Sequence, residues 1–323
     1  MPTEPQRIAV VGGGSLGLYV AGRLALAGHE VTVAGRSAPA LSAGVVAEGD
    51  EHWRAEGVRH AAFDALRGPY AQVIVAVKSH DLPPLLPALA ALGDADTEFV
   101  FLQNGIPWWW VQADGAGAAP ALARTVAVVV HNAIERTAPG CIRVRRTGRD
   151  RYLCGRPAGQ GDVGQGGGAL AALVAAWQAA GIPAETSADI RSEVWAKLMG
   201  NATLNPLSAI TGATLGELAA APETRAVLLA GMAEIARIAA AEGCAVLTSP
   251  EARVGRAAEV GAVRTSMLQD RIAGRRLETD ALLAAPIALA ERHGIAVPVL
   301  QTLLGCLATS RHLSTSIPQQ EAA

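Results

Sequence analysis

The chain has 323 residues, half of them hydrophobic, too many for one ordinary core and too apolar for wholesale disorder, so two globular domains are expected. Its 27 Lys and Arg against 29 Asp and Glu leave a net charge of -2. That balance provides no broad positive field for nucleic acid or anionic lipid, and it disfavours both as partners. Cys141, Cys154, Cys244 and Cys306 are scattered without a C-x-x-C pair, which suits reduced thiols and a cytoplasmic setting. The start, Met1-Pro-Thr-Glu-Pro-Gln-Arg, lacks the basic and apolar regions of a signal peptide. The most apolar stretch, residues 281–290, is about half the length needed to cross a bilayer.

In chain order, an apolar run Ile8-Ala-Val-Val11 leads into Gly12-Gly-Gly-Ser-Leu-Gly17, a helical segment to Ala27, Gly28, and a second run Glu30-Val-Thr-Val33. This spacing is one βαβ unit. Further strands are expected at 72–77, 98–102 and 125–130, each a near-continuous apolar run of the kind a parallel sheet buries on both faces. Residues 141–152 read as a β ribbon turning at Thr147-Gly148, and 169–180 as a helix after a Gly-rich loop. Beyond Asp189 helical periodicity dominates. The expected fold is α/β: a Rossmann-type doubly wound sheet over 1–187, then an all-α domain over 188–323.

Gly12-x-Gly14-x-x-Gly17, between a strand and a helix, is the arrangement that carries a dinucleotide. Gly12 allows the tight turn, Gly14 the approach of a pyrophosphate and Gly17 close helix packing, while the amides at Gly13, Ser15 and Leu16 face the phosphates. After the second strand an NAD enzyme offers Asp or Glu to the ribose; here stands Arg36, which suits the 2′-phosphate of NADP. Lys78, after the next apolar run, is a second candidate for that phosphate or an ordinary strand-end lysine. Asn104, in Gln103-Asn-Gly105, stands where open α/β sheets bind ligands, or forms a simple Asn-Gly turn. Trp108, Trp109 and Trp110 favour packing over lining a site, and the arginines of 143–151 favour a solvated face. Lys197, Asn201 and Asn205 recur every four positions and would share one face of a helix, serving either a polar ligand or a structural hydrogen-bond network. Ser266, Asp270, Glu278 and Asp280 read individually as caps or surface residues.

Taken together, the glycine fingerprint, Val75-Ala-Val-Lys78, Gln103-Asn-Gly105, Lys197 with Asn201 and Asn205-Pro-Leu207, Ser266-Met-Leu-Gln-Asp270, Glu278-x-Asp280 and Gly294-Ile-Ala-Val-Pro298 resemble the ketopantoate reductase (2-dehydropantoate 2-reductase) family. The resemblance spans nearly the whole chain. It implies an NADPH-dependent reductase of a 2-oxo acid in pantothenate biosynthesis, with Lys197 as proton donor, Glu278 as the active-site glutamate in contact with the cofactor, and Asn104 touching cofactor and substrate. It further implies that Asn201, Asn205 and Ser266 bind substrate, Ser266 at its carboxylate. Arg36 and Lys78 would flank the 2′-phosphate, and the backbone at Ala133 would meet the cofactor. No metal is expected, and the oligomeric state stays open, with a homodimer entertained. Three positions depart from the family pattern: Val263, Leu215 and Leu283 stand where asparagines are common. Two other readings therefore stay open: a paralogue acting on a more apolar branched 2-oxo acid, and a non-catalytic NADP-binding sensor.

Overall fold

The computed structural model describes residues 4–35, 44–111, 119–157 and 167–310. Arg36 lies outside the described residues. The chain divides into two compact units, 1–103 with 108–191 and 104–107 with 192–323. The loop carrying Asn104 thus belongs with the helical half, which no single boundary in the sequence would express.

The first unit is built on an eight-stranded sheet. Its strands are β1 (Arg7–Val11), β2 (Glu30–Gly35), β5 (Arg59–Ala62), β6 (Gln72–Val75), β7 (Glu98–Phe101), β8 (Thr125–His131), β11 (Arg151–Gly155) and β12 (Ala184–Thr186), in the order β12-β11-β8-β7-β6-β1-β2-β5. From β8 to β5 all neighbours are parallel; β11 runs antiparallel to β8, and β12 is parallel to β11. Ile8, Val10, Val31, Ile74, Val100 and Val126 form the centre of its core, the doubly covered apolar strands that a parallel sheet requires. The first crossover is α1 (Ser15–Leu26), the short helices α2 (Leu86–Ala90) and α3 (Trp108–Val111) follow, and α4 (Gly167–Ala179) packs beside β12. Trp108, Trp109 and Trp110 are all buried, with Trp108 against Phe101 and the Arg191 guanidinium 3.8 Å above the Trp110 ring.

A second sheet of four strands was not anticipated. It runs β4-β3-β10-β9, from β3 (Val45–Gly49), β4 (Trp53–Ala55), β9 (Ala133–Ala138) and β10 (Cys141–Arg145). The ribbon expected over 141–152 does not form. Its turn exists, since the Thr147 amide and hydroxyl both donate to Asp150 at 2.9 Å, but the flanking strands join different sheets. Cys141–Arg145 alternates buried and exposed residues and stays in the one-sided sheet, whereas Tyr152, Leu153, Cys154 and Gly155 are all buried and enter the central one. Buried Glu51 ties the small sheet to α1, accepting from Trp53 Nε1 at 2.8 Å and Tyr19 Oη at 3.1 Å with Arg146 3.1 Å away.

The second unit contains helices and no strand among its described residues. They are α5 (Ile190–Asn201, whose first two residues belong to the first unit), α6 (Leu204–Thr211), α7 (Leu215–Ala220), α8 (Pro222–Ala241), α9 (Pro250–Val260), α10 (Ser266–Ile272), α11 (Ala285–Arg292) and α12 (Pro298–Thr309). Local chemistry sets their starts: a Thr214–Glu217 capping box opens α7, Ser249 caps α9 and Thr265 caps α10. Buried Glu234 accepts from the Val299 and Leu300 amides at 2.9 and 3.0 Å, giving the N-terminus of α12 the negative partner its dipole favours.

The face expected to carry Lys197, Asn201 and Asn205 is interrupted. α5 ends at Asn201, residues 202–203 form a turn, and Asn205 sits in α6. The Thr203 hydroxyl donates to the Met199 carbonyl at 2.8 Å, a side-chain bond that competes with the helical ladder at the break. Lys197 and Asn201 therefore share a face of one helix, and Asn205 comes from the next.

Candidate active site

In the first unit the glycine turn is shaped to receive an anion. Gly12 adopts φ +115°, and a Cβ there would lie 2.7 Å from the Ala76 carbonyl carbon; only glycine fits that approach. Gly14 is exposed with nothing within 4 Å of the place its Cβ would take. The first helical bond of α1 runs from Leu18 to the Gly14 carbonyl at 2.9 Å, so the Ser15, Leu16 and Gly17 amides precede the ladder. Gly14 provides no side-chain cap, and no acidic residue occupies the first turn. A helix N-terminus so arranged favours negative charge. On β9, Arg136 places its Nη1 3.2 Å from the Gly13 carbonyl, adding a cation that sequence reasoning missed; nothing local distinguishes it from the other surface arginines. Ala133 opens β9, and Lys78 is partly buried beyond β6, which ends at Val75 rather than at Val77. The residues present fit a dinucleotide pyrophosphate.

In the second unit, Lys197 and Glu278 form an interacting pair. Burial pulls the Lys197 ammonium down from 10.5 to about 8, and the Glu278 carboxylate acts against that shift. Glu278 is buried, at 5% exposure, just before a π-helical segment, Asp280–Ala284. Segments of this kind recur at functional sites because the extra residue re-aims neighbouring side chains. The loop bearing Asn104 is fastened to the same segment: the Ile106 amide donates to the Ala281 carbonyl at 2.9 Å. Gly105, at φ +87°, lies so close that a Cβ would be 2.5 Å from the Ala281 oxygen. Asn104 Oδ1 is buried with no hydrogen-bond partner, an acceptor whose desolvation a bound donor would offset.

The remaining expected residues are distributed less tightly. Asn201 is partly buried, Asn205 is 8% exposed, and Ser266 is exposed at the first position of α10. Asp270 is buried with Arg275 Nε at 2.8 Å, and Asp280 is exposed with Arg276 at 3.0 Å. Of the three departures, the Leu215 amide donates to the Val263 carbonyl at 3.0 Å, which makes those two neighbours. Leu283 is fully buried within the π-helical segment, where it packs rather than lines a site.

Two family models match the chain, "Ketopantoate reductase PanE/ApbA" over residues 8–157 and "Ketopantoate reductase PanE/ApbA C terminal" over 189–310. A 2-dehydropantoate 2-reductase of Mesorhizobium japonicum is 34% identical over 301 residues, covering 86% of this chain and 90% of the relative. Among solved structures, the 2-dehydropantoate 2-reductase of Geobacter metallireducens superposes with TM-score 0.83 at 25% identity, covering 94% of this chain and 99% of that one. A D-mandelate dehydrogenase solved with NADH and anilino(oxo)acetate gives TM-score 0.82 at 20% identity over 94% and 98% of the two chains, a likeness of fold. No helix among the described residues is long and apolar enough to cross a membrane.

Proposed function

The chain belongs to the ketopantoate reductase family of oxidoreductases, and from that premise we propose that it reduces a 2-oxo acid, ketopantoate foremost, with NADPH. The observation that carries the reading is Lys197, a partly buried ammonium beside Glu278 whose pKa burial brings down to about 8. A lysine at its ordinary value holds its proton too firmly to act as an efficient acid near pH 7, whereas one near 8 is both protonated and able to release it. The bound cofactor supplies the hydride.

The chain's own groups do the rest. The Gly12–Gly17 turn, with the Gly13, Gly14, Ser15, Leu16 and Gly17 backbone, holds the pyrophosphate; Arg36 and Lys78 pair with the 2′-phosphate, and the Ala133 backbone adds a cofactor contact. Lys197 stabilises negative charge developing on the ketone oxygen and delivers its proton there, while Glu278 keeps the lysine charged and contacts the cofactor. Asn104 offers its unpaired Oδ1 to the bound ligands, Asn201 and Asn205 hold the substrate, and Ser266 donates to its carboxylate.

A second reading, reduction of more apolar branched 2-oxo acids, is favoured by the adjacent Leu215 and Val263, which offer no side-chain hydrogen bond to a substrate hydroxyl. The deciding experiment follows NADPH oxidation against ketopantoate and a panel of branched and aromatic 2-oxo acids, with NADH in parallel. Turnover of ketopantoate with a preference for NADPH supports the proposal. Binding of NADPH with no turnover of any 2-oxo acid would leave the sensor reading.

A further inference from the structure

Arg253 stands on α9 with its guanidinium laid against Gly200 of α5, so close that a Cβ on Gly200 would lie 2.6 Å from its Cζ. Gly200 is three positions after Lys197 and one before Asn201. Along a helix that is about 4.5 Å of rise and about 60° of rotation from the lysine, within reach of one small ligand.

The guanidinium is partly buried, and among the described residues no carboxylate pairs with it. Burial, and to a lesser degree the neighbouring charge of Arg256, together lower its pKa to about 10, so that the neighbour adds to the cost rather than offsetting it. Arg256 itself donates to the neutral Thr248 hydroxyl at 2.8 Å. At neutral pH Arg253 therefore stays charged where charge is expensive, and buried charges are normally paired. Glycine at position 200 is what makes room for it.

Resting on the reading of the chain as a 2-oxo acid reductase, we infer that Arg253 binds the substrate carboxylate. A 2-oxo acid carries its carboxylate on the carbon next to the ketone, so a cation one helical turn from Lys197 suits a ligand whose ketone oxygen faces the lysine. A guanidinium is also the side chain best matched to a carboxylate, through two parallel N–H donors. The exposed Ser266 hydroxyl adds a neutral contact, and Arg253 supplies the charge.

The test pairs a substitution with a change of ligand. Initial rates are measured for wild type, Arg253→Ala and Arg253→Lys with a 2-oxo acid and its methyl ester, and NADPH affinity and thermal midpoint are recorded for each. In wild type the acid should be favoured over the ester by about ten- to a hundredfold in kcat/KM, the range for loss of a charge-assisted bond. Arg253→Ala should collapse that ratio to within about threefold, chiefly through KM, and Arg253→Lys should recover part of it. NADPH affinity should hold, and the thermal midpoint should hold or rise because an uncompensated buried charge has been removed. An acid-to-ester ratio in Arg253→Ala equal to that of wild type overturns the assignment, as does a loss confined to NADPH affinity, which would assign the arginine to a cofactor phosphate. Failure of the wild type to reduce any 2-oxo acid would instead overturn the proposed reaction.

Discussion

In the glycine turn the groups left free to meet an anion are main-chain amides, at Ser15, Leu16 and Gly17, and the sequence contributes chiefly by leaving side chains out. Around Lys197 the order is reversed. There the groups are side chains, Lys197 beside Glu278, with Asn104 on a loop fastened to Ala281 just beyond Glu278, and what tunes the lysine is burial and one neighbouring charge. The first arrangement is suited to holding charge that does not change during a reaction; the second is suited to moving a proton. On this division, damage at Lys197 itself should reach turnover while leaving cofactor affinity alone.

The largest effect is expected from Lys197→Ala. Loss of a general acid typically costs about 10²- to 10⁴-fold in rate, and turnover should fall by that much while the NADPH dissociation constant, measured by fluorescence titration, stays within about threefold of wild type. Turnover retained within about threefold, well outside that range, removes Lys197 from the role of proton donor.

Next in size is the choice of substrate. An apolar wall discriminates weakly among ligands of similar shape, by about a hundredfold or less, whereas a site built to hydrogen-bond a hydroxyl can reject its absence by about 10⁴-fold. With Val263 and Leu215 adjacent, kcat/KM for 2-oxoisovalerate should lie within about a hundredfold of that for ketopantoate. A preference for ketopantoate above about 10⁴-fold would mean that other groups replace the missing amides. Leu283, being fully buried, should not contribute to either outcome.

These two regions also differ in how much of them could be read from the chain. The glycine turn was legible because its three glycines, the apolar strand before them and the helix after them are all contiguous. The small sheet was not, because strand periodicity says which face is buried and not which strand will be the partner. Thus 141–145 and 151–155 look like one ribbon although β10 pairs with β3 and β9, and β11 with β8 and β12. The four-residue spacing of Lys197, Asn201 and Asn205 pointed to a shared helix that ends after the second of them. Membership of Asn104 in the helical unit depends on a single amide-to-carbonyl bond and a glycine contact with Ala281, contacts between segments far apart in sequence. Arg253 was passed over for the same reason, since its environment is made by Gly200.

That tether supports a smaller effect on stability. Gly105→Ala would force a Cβ to within 2.5 Å of the Ala281 oxygen at a residue with φ +87°. Overpacking typically costs about 1–3 kcal/mol, and denaturant unfolding should report a loss in that range. Because Asn104 is carried on the same loop, turnover should fall along with stability. Unchanged stability would show that the loop can lift from the π-helical segment freely.

The smallest effect, and the one that bears most directly on how Lys197 is tuned, is in the pH profile of kcat/KM. A lysine proposed as the proton donor would act in its protonated form, so the rate should be level below its pKa and decline as pH rises through about 8. Burial lowers that value from 10.5, and Glu278 raises it by favouring the charged ammonium. Replacing Glu278 by Gln removes only the raising contribution. The declining limb of Glu278→Gln should therefore move to lower pH, so that at pH 8 the variant loses more of its plateau rate than wild type does. The same shift has a stability counterpart with a defined sign. A lysine whose folded pKa lies below its unfolded value makes the native state more stable as pH climbs from about 8 toward 10.5, because the unfolded chain keeps the proton longer. In Glu278→Gln that rise should begin at lower pH. A limb that stays in place in the variant, with the plateau merely lowered, would mean that Glu278 acts on the ligands and leaves the lysine's acidity to burial alone.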